Sequence, residues 1–364
     1  MKVNQFQPYI GNEEYEAIKS CFDINWITEG PKSKEFSDKL LEYFNADYGV
    51  FANNGTLSLY LGMRAIGIKP GDEVIVPNFT FIASANSVEM CGAKPVFVDI
   101  NIEDLQINID DCSRVLTNKT KAIMPVHLFG ISSNMDEVMK FANENNLKVI
   151  EDAAEAIGVR WNGKHCGTFG DVGSWSFFAD KTITTGEGGY VNTNDEEIYN
   201  KMLYLRNQGR LNRGSFVHPE IGYNFRITDI HAAIGLVQLS KLDVIIDKKL
   251  NLLKMYKERL RGIDNIRIIE PSNSKSNHVP FRVVIMSKKP IKDLMDVFEK
   301  NEIETRSVFY PLHKQPCYVG HGNDVDFPNS IYAYEHGVCL PSYPELEEEK
   351  VDFICSVIRK YYNV

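Results

Sequence analysis

From about residue 50 to 195 the chain alternates short β-branched runs with helix-length amphipathic stretches, and that rhythm leaves few folds open. The runs are "DEVIVP", "AKPVFVDI", "KAIMPVHLFG" and "LKVIEDAA". Short runs this apolar suit strands covered on both faces. Between two of them "MDEVMKFANENN" sets Met135, Val138, Met139 and Ala142 at helical spacing just before the next strand, the pattern of a crossover helix. Repeated, it predicts a largely parallel sheet flanked by helices.

A second register, "TDIHAAIGLVQLSKLDVIIDKKLNLLKMYKERL", runs from Thr228 to about Leu260, with Thr228 or Asp229 able to cap it. Its length predicts a spine joining two units. The short runs "IRIIEP" and "FRVVIM" and the helical "IKDLMDVFEKN" and "EKVDFICSVIRKYY" follow, as in a smaller α+β domain. The expected division is 1–245 for a large domain with its N-terminal segment and 246–364 for a small one.

Charge excludes one class of partner. The formal net charge is -9, and no basic run offsets it, so nucleic acid held by phosphate neutralisation is not expected. No stretch approaches the roughly 18 apolar residues of a membrane helix, and the N-terminus lacks a signal-peptide core, which reads as a cytoplasmic protein. The 7 cysteines form no C-x-x-C pair, as expected of buried thiols in a reducing compartment.

Three patterns carry less than they suggest. "GVRWNGKH", Gly158 to His165, misses the P-loop hydroxyl at its last position. "GEGG", Gly186 to Gly189, lacks the third glycine and the helix of a dinucleotide loop. His313, Cys317 and His321 recur every four residues, but Pro316 breaks a regular helix there, so no metal is expected.

Three other features converge. Asp152 in "VIEDAAEA" ends an apolar strand, at the carboxyl edge where open α/β sheets bind ligands; a helix N-cap is its bland alternative. Lys181 follows Trp175, Phe177 and Phe178 and precedes "TITT", a setting that desolvates an amine toward nucleophilic use, although a snorkelling surface lysine has the same composition around it. "ANNGTLSLYLGMRAIG" turns at Asn54 and Gly55 and opens a helix at about Thr56, which makes an anion seat. An aldehyde needs the amine, a pyridinium nitrogen the carboxylate and a phosphate the helix terminus, and pyridoxal phosphate needs all three.

In chain order, "NGTLSLYLGM", "GDEVIVPNFTFIASANSV", "VIEDAAEAIG", "GTFGDVGSWSFFADKTITTGEGGYVNT", "IGYNFRITDIHAAIGLVQL" and "VFYPLH" resemble the DegT/DnrJ/EryC1/StrS sugar aminotransferases, pyridoxal-phosphate enzymes of fold type I. "SFFADKTITTGEGG", "TRSVFYPLH" and "LPSYPEL" are most similar to the subgroup of GDP-perosamine synthases, which aminate GDP-4-keto-6-deoxymannose at C4. The resemblance implies that Lys181 takes the cofactor aldehyde, that Asp152 partners the pyridine nitrogen and that Glu155 lies near the phenolic oxygen. It implies Phe81 stacked on the ring and Gly55, Thr56 and Ser176 at the phosphate. Asn224 of "GYN" would reach the phosphate of a neighbouring subunit, hence an obligate homodimer with shared sites. Trp26, Thr28, His127, Arg226 and His313 match positions near the sugar-nucleotide pocket. Glutamate is the implied amino donor, with ping-pong kinetics.

Two positions depart from the family pattern. Ala179-Asp180 replaces a frequent Gly-Asn before the lysine, and "TDIHAA" brings His231 where glutamine is usual. A related sugar 3-dehydratase branch carries histidine in place of the lysine, so Lys181 speaks against it. A non-enzymatic regulator would lack the lysine or carry a DNA-binding segment. Transamination of a dTDP- or UDP-linked keto sugar, or of a small phosphorylated ketone, stays open.

Overall fold

A computed structural model describes residues 1–210, 214 and 216–364. Seven strands build the main sheet: β1 (Tyr48–Ala52), β2 (Glu73–Pro77), β3 (Lys94–Val98), β4 (Thr120–Ile123), β5 (Lys148–Asp152), β6 (Val172–Ser176) and β7 (Gly189–Thr193). Their order is β1-β7-β6-β5-β4-β2-β3, and β7 alone runs against its neighbours. The predicted parallel sheet is therefore mixed through a single reversed strand.

Alternation along each strand feeds two cores. Ile75 of β2 packs with Phe36, Leu40, Phe44 and Trp175 on one face, while Val74 and Val76 pack with Leu59, Leu61 and Met63 on the other. Phe44 lies flat on Trp175 with ring centroids 4.1 Å apart. The Met135–Glu144 helix buries Met135, Val138, Phe141 and Ala142, so Phe141 takes the inward place expected for Met139, which is half-buried.

A second sheet holds β8 (Ile266–Ile268), β9 (Val283–Ser287), β10 (Arg306–Ser307) and β11 (Gly337–Leu340) in the antiparallel order β8-β9-β11-β10. Its core uses Leu252, Tyr256, Leu294, Phe298, Val351 and Ile354. A further cluster, with Phe79, Phe129, Val284, Val308 and Cys339, stitches the two sheets together.

The long register is broken. Asp229–Ser240 and Leu242–Arg259 are two helices meeting at Lys241, whose ammonium pairs with Glu13 and Glu14. Thr228 caps the first helix by accepting from the His231 N–H, and His231 Nδ1 lies 2.6 Å from the Thr228 hydroxyl. Residues 245 and 246 fall inside the second helix. The N-terminal segment also reaches the small sheet region, since Val3 exchanges backbone hydrogen bonds with Glu302 and Glu304.

Six of the seven cysteines are buried and Cys317 is exposed. Gly158–His165 is a short hairpin in which His165 Nε2 accepts the Gly158 N–H at 2.9 Å. Gly186 makes a turn at φ 82°, and a side chain at Gly189 would strike the Asn54 carbonyl oxygen at 2.2 Å. His313 and Cys317 fall on separate 3₁₀ turns, Leu312–Lys314 and Pro316–Tyr318. Among the described residues no helix is long and apolar enough to cross a membrane.

Candidate active site

A cavity of about 760 Å³ opens at the carboxyl ends of β5 and β6. Seven of the residues expected at a cofactor line it: Gly55, Thr56, Phe81, Asp152, Glu155, Ser176 and Lys181. Each arrives by a different local device.

Asp152 is the last residue of β5, and its main chain is fixed by bonds to Pro125 and His127. No helix follows it, so the N-cap reading gives way to a turn in which the Ala154 N–H donates to Oδ1 at 3.2 Å. The Ser84 hydroxyl donates to Oδ2 at 2.7 Å. Burial holds this carboxyl above its ordinary range, and the bonds from Ser84 and Ala154 and the Lys181 charge pull the other way.

Lys181 closes a tight turn, its N–H donating to the Phe178 carbonyl at 2.9 Å. Nζ lies 3.7 Å from Glu155 Oε1 and 4.6 Å from the centre of the Phe281 ring. Only 15% of the side chain is exposed, which excludes a snorkelling surface lysine. Glu155 is raised by burial against the opposing Lys181 charge, and its Oε2 accepts the Phe129 N–H at 2.8 Å. Phe129 sits at φ 58°, a left-handed conformation that turns this N–H toward the carboxylate.

The Gly55–Ala65 helix starts at the cavity, capped by Asn54 Oδ1, which accepts from the Leu57 N–H. A side chain at Gly55 would stand 2.9 Å from Ser176 Cβ, so the glycine leaves a cradle between the helix terminus and the β6 end. A helix N-terminus with two hydroxyls, Thr56 and Ser176, at a cradle of this kind fits a phosphate. A buried carboxylate and an enclosed amine in the same cavity fit the ring nitrogen and the aldehyde. The residues present therefore suit pyridoxal phosphate.

Phe81 lies at the mouth, 60% exposed, with its ring centre 6.3 Å from that of Phe309. Asn224 is exposed and outside the cavity, its segment bridged to Asn207. None of the five residues expected near the sugar lines it either. Trp26 and Thr28 are exposed, the indole donating to the Glu29 carbonyl. Arg226 lines a second cavity of about 540 Å³ with Glu29, Arg206 and Arg210.

His127 and His313 are interior residues that do not line the cavity. His127 is wholly buried, accepts the Ser133 N–H on Nδ1 and meets Glu151 through Nε2 at 3.1 Å. That carboxylate also accepts from the N–H groups of Gly167, Phe169 and Gly170, so the pair anchors a loop. His313 bridges Asn78 and Asp324 and packs on Phe327.

Several cavity residues fall in the quoted stretches "FRVVIM" and "TRSVFYPLH" without being singled out there. Phe281, Arg282, Arg306 and Phe309 come from the small sheet region. Asp180 does not face Lys181 in an ion pair; its Oδ2 accepts from Arg282 at 2.6 Å and from Arg306 at 3.3 Å.

The pattern defining the DegT/DnrJ/EryC1/StrS aminotransferase family matches residues 8–359. A GDP-perosamine synthase of Escherichia coli O157:H7 is 39% identical over 361 residues, covering 98% of both chains. One from Vibrio cholerae is 38% identical over 362 residues, again covering 98% of both. Among solved structures, the PLP form of Spr1654 from Streptococcus pneumoniae superposes with a TM-score of 0.94 at 26% identity, over 100% of this chain and 99% of that one.

Proposed function

Because the chain belongs to the DegT/DnrJ/EryC1/StrS aminotransferase family and its cofactor is pyridoxal phosphate, we propose that it transfers an amino group from glutamate to a nucleotide-linked keto sugar, with C4 of GDP-4-keto-6-deoxymannose as the leading acceptor. The observation that carries the reading is that Lys181 and Asp152 share one cavity with the Gly55–Ser176 cradle. The likeness to two GDP-perosamine synthases over nearly the whole chain supports the acceptor.

On this reading Gly55, Thr56 and Ser176 hold the phosphate, Phe81 covers the ring and Glu155 stands by the phenolic oxygen. When bound, the cofactor supplies an aldehyde that takes up and gives away nitrogen, and a ring that withdraws electrons. Asp152 keeps a proton on the ring nitrogen, and Ser84 orients its carboxylate. Lys181 Nζ carries the proton to and from the substrate carbon. Phe281 and the mouth aromatics limit water around that amine.

Asn224, Trp26, Thr28 and Arg226 act, in this proposal, on the site of a second copy, forming a homodimer with shared sites. Their position outside the cavity of their own chain supports this.

The test is a glutamate-dependent amination screen over GDP-, dTDP- and UDP-linked keto sugars with product mass as readout and Lys181→Ala as the blank. Amination of the GDP-linked sugar supports the reading. An absence of amination on every acceptor would overturn it.

A further inference from the structure

Lys249 is a charged side chain that the proposed chemistry leaves unused. It lies within the Leu242–Arg259 helix with 4% of its surface exposed. Its Nζ donates to the carbonyl oxygens of Pro280, Phe281 and Ser342, each at 3.3 Å. Three N–H donors thus meet three acceptors, which satisfies an ammonium removed from water. Burial pushes this ammonium down to about 7; Arg282 acts in the same direction and Asp180 against it. Two turns along the helix, the Tyr256 hydroxyl donates to the Pro341 carbonyl at 2.8 Å. One helix face therefore grips both the 280–282 segment and the 341–342 segment.

Phe281 and Arg282 of the first segment line the cavity. Phe281 is held from the other side by its N–H, which donates to the Phe129 carbonyl at 3.1 Å, and its ring faces Lys181 Nζ. Arg282 donates to Asp180, the neighbour of Lys181, and its guanidinium carbon lies 4.7 Å from the centre of the Phe281 ring. A shift in the 280–282 backbone would move both side chains at once.

We propose that Lys249 is a positioning residue for transamination: through the Pro280 and Phe281 carbonyls it sets where Phe281 and Arg282 stand against Lys181 and Asp180. This rests on the reading of the Lys181 cavity as the cofactor site. A methionine of similar length fills the same space without the three bonds, so the 280–282 segment is freed to relax.

The experiment follows the visible absorbance of the pyridoxal phosphate-loaded full chain against pH for Lys249→Met, alone and in an Arg282→Gln background, with melting curves as the fold control. The midpoint of the visible band is expected to rise by about half a pH unit, because less positive charge then stands near the amine. The kcat is expected to fall roughly threefold with KM for glutamate little changed, as for an interaction felt at the chemical step. In the Arg282→Gln background Lys249→Met should add nearly nothing, since both act through the same group. An unshifted midpoint with lowered melting would make the lysine merely structural, and an equal shift in both backgrounds would make it a distant charge; either overturns the proposal. If Lys249→Met does not fold, Lys249→Gln carries the same comparison, and failure of both to fold also overturns it. A parent chain that develops no visible band, or a Lys181→Ala chain whose band titrates with pH as the parent's does, removes the cofactor-site reading and this proposal with it.

Discussion

Asp180 and Arg282 join the lysine turn to the small sheet region through a contact of 2.6 Å, with only 8% and 3% of their side chains exposed. Arg306 reaches the same Oδ2 at 3.3 Å from the surface, with 58% of its side chain exposed. The two arginines should therefore differ sharply in worth. Arg282→Met strands a buried carboxylate and is expected to cost roughly 3 kcal/mol, whereas Arg306→Ala, an exposed partner, should cost less than about 1 kcal/mol. Urea unfolding of the two variants decides; equal losses would contradict the burial argument.

Both ends of this contact show what a sequence makes legible. Asp152 ends β5 and Gly55 opens a helix, while Lys181, in a turn after β6, stands out by its aromatic neighbours; local pattern draws attention to all three, and the resemblance supplies their roles. Arg282 approaches Asp180 across 102 positions of chain, and no period or spacing encodes such a meeting. The break at Lys241 was hidden because "LSKLD" carries neither glycine nor proline, and its ion pairs with Glu13 and Glu14 are long-range. The surroundings of His127 were illegible because burial and a Glu151 partner leave no mark in a string of residues.

Asp152 should contribute stability to the cofactor-free protein in acid solution that is lost as pH rises, opposing the buried His165 and His278, whose lowered values make stability rise over the same range. Burial raises its carboxyl above the ordinary 3.8 in the folded chain. At this group the folded state binds more protons than the unfolded one, so its contribution is fullest at low pH and is lost as pH climbs from 3.8 through the raised value. Glu155, raised from 4.5 by its own burial, acts in the same sense. Asp152→Asn removes this contribution, so the variant's melting temperature is expected to gain on the parent's as pH rises. Melting temperatures of the stripped parent and variant, followed from about pH 4 to about pH 8, measure it; superimposable slopes would refute the assignment.

Gly55→Ala should separate cofactor affinity from stability. The added Cβ would lie 2.9 Å from Ser176 Cβ, inside the cradle assigned to the phosphate. Crowding there is expected to weaken pyridoxal phosphate binding roughly tenfold, about 1.4 kcal/mol. Helix propensity favours alanine by up to about 1 kcal/mol, which offsets the crowding in the cofactor-free chain. Titration of the stripped variant with cofactor should show the loss while its melting temperature changes little. A variant with unchanged affinity would move the phosphate elsewhere.

Asn224 offers a test of shared sites, because it lies outside the cavity that holds Lys181 in its own chain. Take two variants, Lys181→Ala and Asn224→Ala, each expected to be nearly inactive as a homodimer. In a mixed dimer the Asn224→Ala chain contributes an intact Lys181, and its partner contributes an intact Asn224 to that same site. The reverse site has neither. With random exchange half the dimers are mixed and one site in each is whole, so activity should recover to about a quarter of the parent level. If Asn224 serves the site of its own chain, no combination restores a complete set, and mixing recovers nothing. Activity measured after the two variants are unfolded and refolded together, against each refolded alone, distinguishes the two arrangements.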